Sequence, residues 1–238
     1  MPKDRYFSDQ DLKNNASIQI LDKEAHHMKI AMRKKPKDIV EIINGRGFLA
    51  KARIEKIKSK SVELKIERVS FEKEPIKKTY LACAFLKMHK LDLILEKCTE
   101  LGCTNFWFYK SQNSEKLNIS ENRLDRMRSI TIAAIKQCSR LYLPKIEIFS
   151  TIDEIKKIDG NIYFGDLEKG AVKYLDIFKK DKKSSCFFIG PEAGFSKEET
   201  KHLKSDLKAK GIKLNKNILR AESAAIAAIA IEAHLQLL

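Results

Sequence analysis

Cys186-Phe187-Phe188-Ile189-Gly190-Pro191-Glu192-Ala193-Gly194-Phe195-Ser196-Lys197-Glu198-Glu199 joins an apolar run to a glycine-bearing loop and then to a charged segment. The run Cys186–Gly190 is short, continuous and bounded by turn residues, the pattern of a strand buried on both faces in a parallel sheet. Ser196 followed by Glu199 is a capping box, which predicts the start of a helix. The loop Gly190–Ser196 therefore lies at the carboxyl end of a strand, where open α/β sheets bind ligands. Gly190 and Gly194 permit backbone conformations and close approaches that a side chain blocks. An ordinary strand-to-helix connection has the same form, so the segment alone does not name a ligand. It is not a dinucleotide fingerprint, since Gly-x-Gly-x-x-Gly is absent from the chain, as is a P-loop.

On either side of this segment the chain alternates between the two periods. Tyr80–Leu86, Phe106–Tyr109, Ile146–Phe149, Ile162–Gly165 and Ile212–Leu214 read as strands. Leu91, Ile94, Leu95, Cys98 and Leu101 share one helical face, closed by Gly102. Ser120 is placed to cap a helix running to about Ser139. Thr151 with Glu154 has the form of another capping box. Ser223 is expected to open an Ala- and Ile-rich C-terminal helix. Strands alternating with helices imply an α/β fold with a mainly parallel sheet.

The first 70 or so residues differ. Val62, Leu64 and Ile66 alternate with Glu63, Lys65 and Glu67, a strand with one wet face. Ile39–Ile43 is a short apolar run, and Lys58-Ser59-Lys60 separates Ala52–Ile57 from the alternating strand as a turn does. The charged stretch 70–78 contains a proline and lacks periodicity. It places a boundary between residues 1–72 and 73–238.

Charge narrows the partner. Of 238 residues, 47 are Lys or Arg and 32 Asp or Glu, a net +15 that divides as +6 over 1–72 and +9 over 73–238. A basic excess spread over both parts favours a polyanion such as nucleic acid, although ten Arg among 47 is also what a Lys-rich genome composition produces. The five cysteines, Cys83, Cys98, Cys103, Cys138 and Cys186, form no Cys-x-x-Cys pair and sit in apolar stretches, as reduced core thiols of a cytoplasmic protein do. No His/Cys cluster calls for a metal. The start, Met1 to Phe7, is no signal peptide, and no apolar run has transmembrane length.

Two further segments carry polar groups that packing does not require. Leu214-Asn215-Lys216-Asn217-Ile218-Leu219-Arg220-Ala221-Glu222-Ser223-Ala224-Ala225 brings Arg220 and Glu222 to the start of an alanine-rich helix. Ile135-Lys136-Gln137-Cys138-Ser139-Arg140 ends the long helix, with Gln137 and Arg140 on one face. Arg140 there either complements the helix dipole or, with Gln137, presents donors to RNA or substrate.

These segments, in this order, resemble the RsmE family, which methylates N3 of a uridine in 16S ribosomal RNA of the small subunit. The family's Gly-Pro-Glu-Gly-Gly-Phe loop and following Ser are matched by Gly190–Ser196, and its Leu-Gly-x-x-Ile-Leu-Arg-x-Glu-Thr-Ala by Leu214–Ala224. Its Lys-x-x-Glu-Leu-Gly is matched by Lys97–Gly102, its Ala-x-x-Gln-x-x-Arg by Ala134–Arg140, and its His-His-x-x-x-Val-Leu-Arg by His26–Arg33. Ala193, Asn215, Ser223, Asn113 and Met127 depart from the pattern. Ala193 tightens the loop if its φ must be positive, and Asn113 puts an RNA role for its position in doubt.

The resemblance implies a small PUA-like β-barrel over 1–72 that helps bind RNA. Over 73–238 it implies a SPOUT domain with a C-terminal trefoil knot, and a homodimer with each cofactor pocket near the subunit interface. It implies S-adenosyl-L-methionine held by Leu167, Ile189, Gly190, Pro191, Glu192, Gly194, Leu214, Leu219, Arg220, Glu222, Ser223 and Ala224. Arg5, His27, Arg33, Arg126, Gln137 and Arg140 are the implied RNA contacts on 16S rRNA or the 30S subunit. Uridine N3 carries a proton in its neutral form, so methylation needs a base or a cation that stabilises the imide anion. Glu192 and Glu222 compete as base, and Arg220 and Arg140 are the candidate cations. Glu192 fixing the loop, and Glu222 pairing with Arg220, are structural roles that fit as well. Two other readings remain: a SPOUT methyltransferase for another base or a ribose 2′-OH, and a non-catalytic RNA-binding protein of the same fold.

Overall fold

The computed structural model describes residues 4–114, 120–168, 170–178, 181 and 183–237. It divides into two compact units, Met1–Glu74 with Ile132–Leu143, and Pro75–Thr131 with Pro144–Leu238. Residues 132–143 pack with the first unit.

The first unit is built on β1 (Arg5–Phe7), β2 (Ser17–Leu21), α1 (Asp22–His26), which runs on as a π-helical turn over His27–Ala31, β3 (Ile39–Ile43), β4 (Phe48–Ile57) and β5 (Ser61–Phe71). The strands form one sheet in the order β1-β3-β4-β5-β2, parallel between β1 and β3 and antiparallel elsewhere. Alternation decides which face is dry: Val62, Leu64 and Ile66 are buried with Ile18, Ile20, Val40, Ile42 and Ile54. Met28 and Ala25 cover this core from the helical segment. β4 carries two register shifts against β5, at Lys51/Ala52 and Ile54/Lys56, where bulges bend a strand. The strands β1 and β2 and the α1 turn were not read from the sequence.

Residues 132–143 belong here through Ile135 and Leu141, which pack with Phe7 and Ile43. Lys136 pairs with Glu24 at 2.5 Å, and the Leu143 amide donates to the Gly45 carbonyl at 3.0 Å.

The second unit contains β6 (Thr79–Ala84), α2 (Met88–Glu100), β7 (Asn105–Tyr109), the start of α3 (Glu121–Cys138), β8 (Lys145–Phe149), β9 (Gly160–Gly165), β10 (Val172–Lys173), α4 (Tyr174–Ile177), β11 (Ser184–Ile189), α5 (Lys197–Ser205), β12 (Lys210–Lys213) and α6 (Ala221–Leu235). Its seven strands are all parallel, in the order β10-β12-β9-β11-β6-β7-β8. The inner strands β6, β7, β9 and β11 are covered on both faces and largely apolar, whereas β8 and β10 at the edges are mostly exposed. Leu81, Cys83, Phe187 and Ile189 pack with α2 and α6, while Ala82, Ala84, Cys186 and Phe188 face Leu203, Leu207 and Ile152. Met127, one of the family departures, is fully buried in the first of these cores.

Three local expectations are corrected. Thr151 and Glu154 do not open an α-helix: only a 3-10 turn forms over Ile152–Glu154, with no bond to the Thr151 side chain. Glu154 instead accepts from the Ser150 amide at 2.8 Å. The last helix starts at Ala221 with Arg220 as its N-cap, not at Ser223, and the strand expected over Ile212–Leu214 runs Lys210–Lys213. By contrast the Ser196–Glu199 box is complete, with both reciprocal bonds, at 2.8 and 3.1 Å.

Candidate functional site

From β6 the chain builds β7 and β8 outward on one side, then returns to place β9, β11 and β12 on the other. Such a reversal leaves a crevice at the carboxyl ends of the strands. A cleft of about 970 Å³ lies there, walled by the segments that follow β9, β11 and β12 and by Lys90 of α2.

The loop after β11 is held from several sides. Tyr109, at the end of β7, donates its hydroxyl to the Ile189 carbonyl at 3.0 Å in a fully buried contact. Burial of Tyr109 pushes its phenol well above the ordinary range, so it stays a donor. Gly194 has φ +80°, a left-handed conformation that disfavours side chains, and open space where a Cβ would stand. A Cβ on Gly190 would press on the Phe195 ring at 3.1 Å. Ala193 is not in the left-handed region, so its departure from the family pattern is sterically neutral. Asn113 donates from Nδ2 to the Gly194 carbonyl at 3.1 Å, and the Gln112 amide donates to the buried Glu199 carboxylate at 3.1 Å. The loop after β7 therefore braces the loop after β11.

Of the residues the sequence marked for the cofactor, Leu167, Ile189, Gly190, Pro191, Glu192, Gly194, Leu214, Leu219, Arg220 and Ala224 line the cleft. Glu222 stands just behind, its side chain 13% exposed, and Ser223 is exposed and outside the lining. Lys90 was missed. Its Nζ is hydrogen-bonded to Glu192 and lies 3.6 Å from Glu222 Oε2, a buried oxygen with no hydrogen-bond partner. The Lys90 bond holds the Glu192 carboxyl below the usual carboxylate range, and the same bond raises Lys90 above the ordinary lysine value. A carboxylate held ionised in this way is a weak base, which disfavours Glu192 as the group that takes a proton. Phe164, Asp166, Phe195 and Thr200 also line the cleft and were not singled out.

The proposed RNA contacts divide by environment. His27, Arg33 and Gln137 are exposed, all in the first unit, and Arg33 has φ 50°. Arg140 also belongs to that unit and is half-buried. Arg126 is exposed in the second unit and paired with Asp92 at 2.6 Å. Arg5 is turned inward, 8% exposed, with Nε and Nη2 both donating to Glu41 Oε2 at 2.9 and 2.7 Å. That geometry ties it to β3.

Burial pushes the Cys83 thiol up to about 12 and those of Cys98 and Cys186 well above their ordinary value, so none supplies a thiolate near pH 7. All five cysteines are unpaired. Among the described residues, no group of three or more His, Cys, Asp or Glu side chains is arranged to hold a metal, and no helix is long and apolar enough to cross a membrane.

Residues 72–233 match the RNA methyltransferase domain family, and residues 20–67 match the RNA methyltransferase PUA domain. The chain is 31% identical to the ribosomal RNA small subunit methyltransferase E of Rickettsia conorii, over 97% of this chain and 95% of that protein. A putative methyltransferase from Legionella pneumophila, solved in complex with bound cofactor SAM, has the same fold, with a TM-score of 0.87 at 22% identity over 97% of both chains. So has a ribosomal RNA small subunit methyltransferase E from Neisseria gonorrhoeae bound to S-adenosyl methionine, with a TM-score of 0.86 at 21% identity over 98% of this chain and 97% of that one. With near full-length identity at this level and a matching domain on each side of residue 70, the chain belongs to the ribosomal RNA small subunit methyltransferase E family, an RNA methyltransferase with an N-terminal PUA domain.

Proposed function

We propose that this chain methylates N3 of a uridine in 16S ribosomal RNA of the small subunit, with S-adenosyl-L-methionine as methyl donor, in the cytoplasm. The observation that carries this reading is the coincidence of the family match with the cleft: the family's loop motifs, far apart in sequence, line one crevice at three adjacent strand ends. The residues present fit the donor. Gly190 and Gly194 leave backbone accessible, and Ile189, Leu214, Leu219 and Ala224 supply apolar wall for an adenine. Glu192, Lys90 and Arg220 supply charge at the rim. When bound, the donor contributes an electrophilic methyl group, and the protein's part is alignment and electrostatics.

In this reading Arg220, exposed at the cleft and N-capping α6, faces the flanking oxygens of the target base and stabilises the charge left when N3 loses its proton. Glu222 is the better candidate to accept that proton, because its Oε2 makes no hydrogen bond and meets Lys90 only at 3.6 Å, whereas Glu192 is hydrogen-bonded to Lys90. Residues 1–72 act as the RNA-binding domain and residues 73–238 as the SPOUT methyltransferase domain. A C-terminal trefoil knot and a homodimer complete the proposal. The knot is supported by a chain that lays down β12 near the sheet edge and then returns α6 onto α2, β6 and β11. The dimer is supported by α6, which is alanine- and isoleucine-rich all round yet leaves Ile226, Ala227, Ala230 and Ile231 only half-buried.

The test is mass spectrometry of 16S rRNA from a strain lacking the gene. One uridine is expected to lose an N3-methyl group and regain it on treatment of the small subunit with purified protein and S-adenosylmethionine. Full methylation in the deletion strain, or a methyl on ribose or another base atom, overturns the assignment.

A further inference from the structure

Lys90 stands where a lysine is electrostatically disfavoured. The first turn of α2 contains no acidic residue, and Lys87, His89 and Lys90 gather at its positive end. Yet the Lys90 side chain is drawn inward, 13% exposed, at the cleft wall. Two other elements supply its counter-charges. Glu192 comes from the loop after β11 and Glu222 from the first turn of α6, and both meet the same ammonium group. A lysine placed against its own helix dipole and held by carboxylates from two other segments is a local conflict of the kind that marks functional positions.

We propose that Lys90 is a positioning residue of the methyl-donor pocket: by binding Glu192 it clamps the Gly190–Gly194 loop to the start of α2, in the conformation that receives the donor. This inference rests on the S-adenosylmethionine reading of the cleft. The clamp closes a gap in the bracing of the loop. Tyr109 fixes its beginning at Ile189, and Asn113 and the Ser196–Glu199 box fix its end. Glu192 sits between these points, and its side chain, 59% exposed, is tied down through Lys90. The ammonium group binds Glu192 by a hydrogen bond and stands 3.6 Å from Glu222 Oε2, which makes no hydrogen bond.

The experiment uses the full-length protein and two readouts: calorimetric affinity for S-adenosylmethionine, and amide hydrogen exchange of residues 190–194 with no ligand present. Lys90→Met is expected to weaken affinity by about tenfold or more, a loss of about 1.4 kcal/mol, and to speed exchange across 190–194. Lys90→Arg, which can still bind Glu192, restores most of both. Glu192→Gln breaks the same pair from its exposed side and gives the same exchange change. The double variant is no worse than Lys90→Met, because a broken clamp cannot be broken twice. Unchanged exchange in both Lys90→Met and Glu192→Gln overturns the clamp, as do additive losses in the double variant. If the unaltered protein binds no S-adenosylmethionine, the cofactor reading fails, and the exchange data alone then decide whether the clamp exists.

Discussion

Single residues set what the cleft can hold. Gly194 combines φ +80° with open space at the Cβ position, so a β-branched side chain there meets backbone strain first. Gly194→Val is expected to abolish S-adenosylmethionine binding in calorimetry while leaving the far-ultraviolet circular dichroism intact. Unchanged affinity in a folded variant removes the loop from the pocket. The two carboxylates predict different phenotypes. Glu222→Gln is expected to slow single-turnover methylation by about a hundredfold with cofactor affinity retained, the signature of a group used in proton transfer. Glu192→Gln is expected to act mainly on affinity. Equal rate losses in both variants refute this division. The ion pair also sets a pH window. Glu192 is lowered, so its contribution is present above the ordinary carboxylate range and lost as pH falls through its depressed value. Lys90 is raised, so its contribution holds below the ordinary lysine value and is lost as pH rises through the elevated one. Both limits lie outside the neutral range, and the pair is closed at pH 7.

Elements owe their stability to polar groups as well as apolar faces. α6 carries Glu232 into the interior, fully buried, where it accepts from the Tyr174 hydroxyl, from Ser185 at 2.9 Å and from Gln236 at 2.8 Å, with Lys77 at 3.4 Å. Burial and the bond to Glu232 push the Tyr174 phenol far above its ordinary value, so it remains the donor. The network fastens the C-terminal helix to α4, in the connection between β9 and β11, and to β11 itself. Tyr174→Phe keeps the ring but withdraws a donor from a buried carboxylate. It is expected to lower stability to urea by about 1–3 kcal/mol, and a change within a few tenths of a kcal/mol shows that Glu232 has other means of satisfaction.

At the scale of the whole molecule the net charge of +15 is shared by both parts of the chain. Binding to small-subunit RNA should then be steeply salt-dependent, falling about tenfold or more between about 50 and 200 mM salt as phosphate contacts are screened and counterions return. Filter binding with the intact protein and with residues 75–238 measures this. A flat salt dependence, or undiminished affinity in the shorter chain, contradicts an RNA footprint spread over both units.

The features legible in the residues alone are local ones. The strand before Gly190, the Ser196–Glu199 box, the α2 face closed by Gly102, and the wet-and-dry alternation of Val62–Glu67 all depend on residues within a few positions of one another. Periodicity and capping chemistry express those directly. The same local signal misled at Thr151 and Glu154, where the pattern is present but the chain makes only one 3-10 turn. It was silent on β1 and β2, because strands that are three and five residues long or edge-placed offer too few alternations. The family pattern supplied the cleft residues of the loops but not Lys90. Lys90 and Glu192 are 102 positions apart, and Asn113 and Gly194 are 81 apart. Such meetings depend on the strand order β10-β12-β9-β11-β6-β7-β8, which brings the end of β6 beside the end of β11. Strand order is set by the packing of all layers together and leaves no trace in any short window. For the same reason residues 132–143 joining the first unit, Arg5 turning inward onto Glu41, and Lys90 hydrogen-bonding Glu192 while meeting Glu222 only at 3.6 Å are features that the folded chain alone decides.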